Sequence, residues 1–372
     1  MAKEDVSNTI ISDYKKHEHS YLTFAKKVKQ LIEDLLIEYE MEIHSIDYRV
    51  KTEDSLQTKL KRKNYKYKKK SDITDIVGIR IVTRYEDTVD NIASIIESEF
   101  CVDDTNTIDK RKAMDPDRFG YLSLHYIVSL DGKRSSLPEY RILNDLTFEI
   151  QIRSILQHAW AEAGHDLGYK SKVEVPRDVQ RDFSRLAGLL ELADKELISI
   201  RDKLDSYREA TTEQIKNQST DFSIDNISLA AYIKNHENSK RLDSSIEKIT
   251  NSILDDNLED DFDTVDWLIR RLHGVQFETI NEIDESLVRN FNLCLELAQG
   301  ILDRKGADRS GRIVNGIGIL YLCYAVLLKK GDYDLLRKYC RDNNIEYSDK
   351  DPDVFVNNLI SIYEEYESKT DT

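Results

Sequence analysis

The spacing of apolar residues changes about halfway along this chain, and the change limits the folds open to it. In the first half, short β-branched or alternating apolar segments are separated by helical patterns, which is typical of a sheet covered by helices. Beyond residue 220 only helical spacing is found. We therefore expect an α+β fold, a mixed β-sheet flanked by helices, followed by an all-α domain.

The same spacing places the individual elements. Strands are predicted at 43–51, 76–85, 122–130 and 146–153. Early helices are expected at 13–41 and 53–66, the second one capped by Thr52. The second half should hold helices at 225–235, 240–255, 263–273, 278–304, 309–330, 332–342 and 351–367.

The chain has 372 residues, a length that suits two domains better than one. We expect a first domain over 1–176, a connecting helix over 177–219, and a helical regulatory or oligomerisation domain over 220–372. Spacings in the second half show no convincing repeat.

Charge and composition limit the partners and the cellular compartment that we expect for the protein. The net charge of -16 disfavours indiscriminate attraction to nucleic acid or anionic membranes. The four cysteines show no CxxC spacing, and no apolar run is long enough for a membrane span. We expect a cytoplasmic protein that does not associate with membranes.

Two acidic residues stand at strand positions of the first half, Asp75 and Glu149. Each has an ordinary explanation, since an Asp before a strand is often a turn residue and Glu149 could lie on a solvated strand face. Together they can supply the one or two carboxylates that Mg²⁺ prefers beside nucleotide phosphates. The sequence therefore offers a candidate magnesium site.

The first half of the chain also carries several fixed positive charges. In the strand 146–153, Glu149, Gln151 and Arg153 share one face, opposite the apolar Phe148, Ile150 and Ile152. Such a polar face needs a ligand or a salt-bridge network. The nearby cations are Arg49, Lys51, Lys59, Arg62, Arg80 and Arg153.

Aromatic and histidine side chains complete the candidate set. Tyr121 follows Gly120 and could stack on a nucleobase or cap the core. His125 and His158 could contact phosphate, although a structural histidine is the commoner case. Segment 59–70 holds eight lysines or arginines, which suit either a solvated helix end or a phosphate-binding patch.

Five sequence blocks together resemble the synthetase domain of the RelA/SpoT family, the alarmone synthetases and their toxin relatives. The resemblance covers about residues 40–175, and the blocks occur in the family's order. They are RVKTEDSLQTKLKRK at 49–63, ITDIVGIRIV at 73–82, GYLSLH at 120–125, FEIQIR at 148–153 and HAWAEAGHDLGYK at 158–170.

The resemblance implies a nucleotidyltransferase-like fold and a Mg²⁺-dependent pyrophosphokinase. Such an enzyme moves the β,γ-pyrophosphate of ATP to the ribose 3′-hydroxyl of GDP or GTP, making (p)ppGpp. By the match Asp75 and Glu149 would hold the metal, and Glu149 would help to deprotonate the hydroxyl. The remaining roles would be adenine packing by Arg49 and Arg80, donor-phosphate binding by Lys51, Lys59 and Arg62, and acceptor binding by Tyr121, His125, Gln151 and Arg153.

The chain also departs from the family pattern. Asp117 and Leu122 flank the Gly-Tyr pair where relatives often carry basic or polar residues, and Gly164 replaces a common Glu. These departures leave the acceptor open. Two alternative functions therefore remain: a toxin-type enzyme that modifies the 3′ end of tRNA, and an inactive nucleotide-binding scaffold.

The regions outside the resemblance suggest two further expectations. Only residues 1–42 precede the family blocks, so we expect a synthetase without its own hydrolase domain. The helical second half has no recognised family, and we expect it to regulate the enzyme or to support a homo-oligomer.

Overall fold

The computed structural model describes most of the chain as two compact units, Met1–Asp202 and Lys203–Thr372. The boundary falls inside a long helix, and the domain limits drawn from the sequence stay predictions. The residues that the structure describes are 2–62, 67, 69, 72–109, 123–138, 140, 146–166, 176–255, 262–305, 312–343 and 352–370.

The first unit is built on a sheet of six described strands in the order β1-β2-β6-β5-β3, with β4 beside β5. β2 and β6 run parallel, whereas the other pairs are antiparallel. This confirms the mixed sheet. The strands are β1 (Ser45–Val50), β2 (Val77–Thr83), β3 (Phe100–Val102), β4 (Ile108–Asp109), β5 (Leu124–Leu130) and β6 (Phe148–Ser154).

Helices cover the apolar face of the sheet. Phe24 of the first helix packs edge-on against Phe148 of β6, and Phe100 packs against the same ring. Alternate strand residues such as Ile79 and Ile150 are fully buried in this core. The helices of the unit are α1 (Ala2–Glu38), α2 (Glu53–Arg62), α3 (Asp87–Glu99), α4 (Gly132–Ser135), α5 (Ile155–Asp166) and the first part of α6 (Arg177–Lys216).

Local capping explains where two of these helices begin. The Thr52 hydroxyl accepts a hydrogen bond from the amide of Ser55 at 3.3 Å, as expected for the N-cap of α2. Ser154 and Gln157 bond each other's backbone amides reciprocally at the start of α5, a capping box that fixes the turn from β6 into α5.

The second unit is helical, and its core is one continuous apolar cluster that includes Leu242, Leu268, Leu297 and Leu322. This confirms the all-α class. Its helices are α7 (Asn226–Asn235), α8 (Glu237–Thr250), α9 (Phe262–Gly274), α10 (Ile280–Lys305), α11 (Ile317–Lys329), α12 (Tyr333–Asp342) and α13 (Pro352–Thr370).

Several element limits differ from those expected. Residues 253–255 and 312–314, predicted as helix, form β7 (Ile253–Asp255) and β8 (Arg312–Val314), which pair in parallel. Three-residue strands give too few alternations to be recognised from periodicity. The helix expected from residue 309 begins at Ile317, after Gly316 with its positive φ of 86°, a conformation that interrupts a helix. In the first unit α1 begins at Ala2 rather than near 13, and β3 and β4 were not predicted.

Within the described parts of the chain, no helix combines the length and apolar character that a bilayer crossing requires.

Candidate functional site

Strand register gathers the predicted polar residues on one face of the sheet. Gly78 of β2 is the partner of Arg49 in β1 and of Glu149 in β6. Because side chains alternate along each strand, the next residue pairs on this face follow two positions away. That second row is Asp47, Arg80, Gln151 and His125. The face opposite the apolar core is therefore the candidate site.

Glu149 is surrounded by donors and positive charge. His125 Nδ1 lies 2.7 Å from Oε1, Gln151 Nε2 donates to Oε2 at 2.8 Å, and Arg49 lies 3.9 Å from Oε2. Burial alone would raise the pKa of Glu149, but the hydrogen bond and charge of His125, with Gln151 and Arg49, lower it to about 2. Glu149 is therefore ionised at neutral pH.

A third side chain extends this arrangement behind His125. Ser123, which is fully buried, places its hydroxyl 2.6 Å from His125 Nε2. Both ring nitrogens of the histidine are thus engaged, and its orientation toward Glu149 is fixed. Ser123 was not predicted, although its position two residues before His125 puts it on the same strand face.

Asp75 lies just before β2 and is held by two lysines. Lys59 Nζ of α2 lies 2.7 Å from Oδ1, and Lys51 Nζ lies 3.3 Å from Oδ2. All three side chains are partly buried. Lys59 also stands over the ring of Tyr67 at 5.6 Å. The predicted donor-phosphate lysines therefore converge on the predicted metal ligand.

A pocket of about 190 Å³ opens on the polar face. Gly78 is one of its lining residues, and a Cβ there would lie 3.4 Å from Arg49 Nε. The absence of a side chain there lets the guanidinium of Arg49 cross the strand toward Glu149. The pocket is lined by Asp47, Tyr48, Arg49, Gly78, Ile79, Arg80 and Gln151.

One wall of the site is supported by α5. Arg80 Nη1 lies 3.1 Å from Oε1 of Glu162, and Arg153 and His158 each approach the same oxygen at 3.7 Å. Arg153 is buried, with a side chain only 2% exposed. Burial, followed by the charges of Arg153 and Arg80, lowers the pKa of His158. Glu162 was not predicted, although it lies one helical turn after His158.

The structure groups most of the predicted residues that it describes into two clusters. Arg49, Arg80 and Gln151 line the pocket, and Glu149 with His125 adjoins it through the strand register. Asp75, Lys51 and Lys59 form their own cluster. Arg62 is exposed on α2, and Tyr121, with Gly120 and Leu122, lies outside the described residues. The functional roles of all these residues stay predictions.

Among the described residues no group of three or more His, Cys, Asp or Glu side chains is arranged to hold a metal ion. Asp75 and Glu149 can each offer carboxylate oxygens, and a Mg²⁺ ion would take its remaining ligands from water and nucleotide phosphates.

Two proteins of Bacillus subtilis (strain 168) are similar to this chain in sequence. GTP pyrophosphokinase YwaC is 27% identical over 161 residues, which cover 42% of this chain and 73% of the relative. GTP pyrophosphokinase YjbM is 28% identical over 185 residues, which cover 49% of this chain and 84% of the relative.

Solved structures give matches over a similar share of the chain. Small alarmone synthetase 1 from Bacillus subtilis matches with 23% identity and a TM-score of 0.43, covering 52% of this chain and 99% of the other. The same protein bound to its product pppGpp matches with 24% identity and a TM-score of 0.44.

The family comparison agrees with the location of the site. Residues 48–174 match the model of the region found in RelA / SpoT proteins. This span contains β1 from Tyr48 onward, β2, β5, β6 and α5, which carry every side chain of the polar face except Asp47. Residues 48–174 of this chain are therefore a RelA/SpoT domain.

Proposed function

We propose that the protein is an ATP-dependent pyrophosphokinase that transfers the β,γ-pyrophosphate of ATP to the ribose 3′-hydroxyl of GDP or GTP. The product would be the alarmone (p)ppGpp. The observation that carries this proposal is the polar sheet face, where Arg49, Arg80 and Gln151 line a pocket beside the ionised Glu149. The activity named for the two relatives supports it.

On the donor side, we assign Arg49 and Arg80 to the adenine of ATP. Both line the pocket, and planar guanidinium groups stack well on aromatic rings. Lys51, Lys59 and Arg62 would hold the donor phosphates. Lys51 and Lys59 already meet at Asp75, so phosphates bound beside that carboxylate would be reached by two cations.

Asp75 and Glu149 would hold magnesium. Both offer the hard oxygen atoms that this ion prefers, and the depressed pKa of Glu149 keeps its oxygens available as ligands. The bound ion would supply charge neutralisation on the triphosphate. The lysines that contact Asp75 would then be shared between this carboxylate and the phosphates.

On the acceptor side, we assign Tyr121 to the nucleobase and place His125, Gln151 and Arg153 nearby. Gln151 lies between Arg80 and His125 in the strand register, so the donor and acceptor nucleotides would meet over β6. By the family resemblance, the sequence departures at Asp117, Leu122 and Gly164 concern the choice of acceptor.

The transfer itself requires little covalent participation by the protein. The 3′-hydroxyl oxygen forms a bond to the β-phosphorus while the bond from that phosphorus to the α-bridging oxygen breaks, and AMP leaves. Glu149 would orient the hydroxyl and help to remove its proton, with His125 held against it at 2.7 Å. Cations and alignment supply most of the rate enhancement.

The acceptor could instead be the 3′ end of tRNA. The observation that favours this second function is the basic segment 59–70, in which Lys59 stands over the Tyr67 ring. Phosphate contacts and aromatic stacking are what RNA recognition requires. The second unit would then hold a toxin-type activity in check.

One assay separates these functions. The purified protein is incubated with γ-labelled ATP and Mg²⁺, and GDP, GTP, AMP, ATP or deacylated tRNA is supplied in turn. Label in guanine nucleotides supports the alarmone synthetase, and label in tRNA supports the toxin-type enzyme. No transfer to any acceptor, also after removal of residues 220–372, would leave the nucleotide-binding scaffold.

We also propose that the protein is cytoplasmic and forms a homo-oligomer. Substrates of the proposed reaction are cytoplasmic nucleotides, and the cysteine spacing suits a reducing compartment. Self-association is supported by apolar side chains exposed on α6, among them Leu186, Leu189 and Ile200, since exposed apolar stripes mark protein contacts. Light scattering of the purified protein tests the oligomer.

A further inference from the structure

Glu162 of α5 gathers three basic groups at a single carboxylate oxygen. Its Oε1 lies 3.1 Å from Arg80 Nη1 and 3.7 Å from both Arg153 Nη2 and His158 Nδ1. The three groups come from β2, β6 and α5. The proposed reaction makes no direct use of Glu162.

The position of Glu162 is rigidly determined. The Ser154–Gln157 capping box fixes the start of α5, and the Ser154 hydroxyl also donates to Asp194 at 2.7 Å. Trp160 and Ala161, which precede Glu162, are buried. A carboxylate on a helix held in this way presents a fixed contact point for a long side chain.

Arg80 is the side chain that needs such a contact. It lies between Asp47 and Gln151 in the strand register and lines the pocket, yet its own side chain is 29% exposed. A free arginine loses substantial rotamer entropy when a ligand immobilises it. A side chain already held in its binding orientation avoids that loss.

The ion pair between Arg80 and Glu162 is better suited to orienting the Arg80 side chain than to stabilising the fold. Glu162 is 53% exposed, and an ion pair with one partner so accessible contributes little to folding. Its effect should therefore be found in ligand binding.

We propose that Glu162 is a positioning residue that holds Arg80 at the pocket wall and links it to Arg153 and His158. Because Arg80 is assigned to the donor adenine and Arg153 to the acceptor, Glu162 connects the two sides of the site. This inference rests on the proposed function. The proposed chemistry gives Glu162 no contact with either nucleotide.

The test measures binding of AMPCPP, an ATP analogue, by calorimetry on the full chain, which needs no transfer reaction. Glu162→Ala is compared with Glu162→Gln, which keeps one acceptor oxygen, and with wild type. Asp166→Ala is the matched control, since Asp166 lies one turn further along α5 and is exposed. Glu162→Ala is then also made in Arg80→Ala and Arg49→Ala backgrounds.

We expect Glu162→Ala to raise the Kd for AMPCPP about 3- to 10-fold, the range expected when one long side chain must be ordered on binding. Glu162→Gln should give an intermediate value, and Asp166→Ala should match wild type. In the Arg80→Ala background the effect should vanish, whereas in the Arg49→Ala background it should persist. In the transfer assay KM for ATP should rise while kcat changes by less than about 2-fold.

Three results would overturn the inference: wild-type affinity in Glu162→Ala, an equal loss in the Arg80→Ala background, or a fall in kcat without a change in KM. A wild-type protein that does not bind AMPCPP at all would instead contradict the proposed function, and the inference with it. A chain that binds AMPCPP but transfers nothing contradicts only the proposed reaction, and the binding cycle still decides the role of Glu162.

Discussion

Glu149 of the first unit and Asp243 of the second are both largely removed from solvent, and their pKa values are shifted in opposite directions. Glu149 of the first unit has a pKa lowered to about 2. Asp243 of the second unit, which is 3% exposed, has a pKa raised to about 6 because burial outweighs its hydrogen bonds. Burial raises both values, so the difference comes from the partners.

The partners differ in charge. Glu149 faces His125, Gln151 and Arg49, two of which carry or can carry positive charge. Asp243 accepts from backbone amides of Gly316 and Gly318 at 2.7 and 2.8 Å. Amide dipoles satisfy its hydrogen-bonding capacity but leave its charge uncompensated.

This difference makes Glu149 a candidate binding group, whereas Asp243 forms a structural connection between helices. An ionised carboxylate held by displaceable side chains can exchange them for a metal ion or a hydroxyl. A carboxylate bonded to the backbone at the start of α11 connects that helix to α8, and any exchange would break the packing. Buried acids should therefore be ranked as functional by the mobility and charge of their partners, as well as by their burial.

The largest expected effect is on the chemistry of the first unit. We expect Glu149→Gln to lower the transfer rate by at least about 10³-fold, because it would remove the proposed metal ligand and orienting group. The measurement is the initial rate with γ-labelled ATP and the accepted nucleotide. Asp75→Asn should give a loss of similar size.

Asp243→Asn is the control for that experiment. It removes one carboxylate charge from the second unit, and we expect transfer within about 2-fold of wild type, as for a substitution outside the site. Near-normal activity of Glu149→Gln would refute the site. A comparable loss in Asp243→Asn would show that the distinction between the two acids is wrong.

The next effect is on the pH dependence of folding stability, to which Asp243 and Glu149 contribute with opposite signs. The folded-state pKa of Asp243 lies above its ordinary value of 3.8, so the folded state binds the proton more tightly than the unfolded chain. Its contribution is fully present below about pH 4 and is lost as pH rises through about 6. A difference of about two units corresponds to about 3 kcal/mol. The contribution of Glu149 has the other sign and is lost as pH falls from 4.5 toward 2.

Urea unfolding monitored through Trp267 of the second unit, in a Trp160→Phe background, measures this effect. The stability of wild type relative to Asp243→Asn should increase by about 3 kcal/mol between pH 7 and pH 4. A difference that does not change with pH would mean that Asp243 is as well compensated as Glu149.

The fold of the first unit followed closely from residue patterns where elements were long. The alternation around Phe148, Ile150 and Ile152 predicted β6 and the side on which its polar residues lie. The strands β3, β4, β7 and β8 span two or three residues each. Tertiary pairing creates them, and so few residues leave no periodic signal.

The site was predictable where a residue type carries an evident charge or ring, and less so where support is indirect. The sequence alone predicts Arg49, Arg80 and Gln151 as candidate site residues, and all three line the pocket. Gly78, Ser123 and Glu162 were missed because each acts by fitting or holding a neighbour. Such roles depend on strand register and helix placement, which a single sequence does not specify.

A smaller effect is expected from the glycine next to Asp243. A Cβ at Gly318 would lie 2.6 Å from Leu242 Cδ2 and 2.9 Å from Asp243 Oδ1. These approaches are too close for any real contact, so the Leu242 and Asp243 side chains of α8 would have to move. We expect Gly318→Ala to destabilise the second unit by about 2 kcal/mol with little effect on the transfer rate. Urea unfolding and the initial rate together check this.

The smallest effect should come from substituting Gly78, the strand partner of Glu149. A Cβ at Gly78 would lie 3.4 Å from Arg49 Nε and 3.5 Å from its Cγ, distances that the flexible arginine can relieve by moving. We expect Gly78→Ala to leave stability within about 0.5 kcal/mol of wild type and to raise KM for ATP about 2- to 5-fold, because Arg49 is displaced from its orientation. In an Arg49→Ala background the same substitution should have no effect on KM. If Gly78→Ala proved as destabilising as Gly318→Ala, the surroundings of Glu149 would be as rigid as those of Asp243, and the exchange of partners proposed for the site would lose its physical basis.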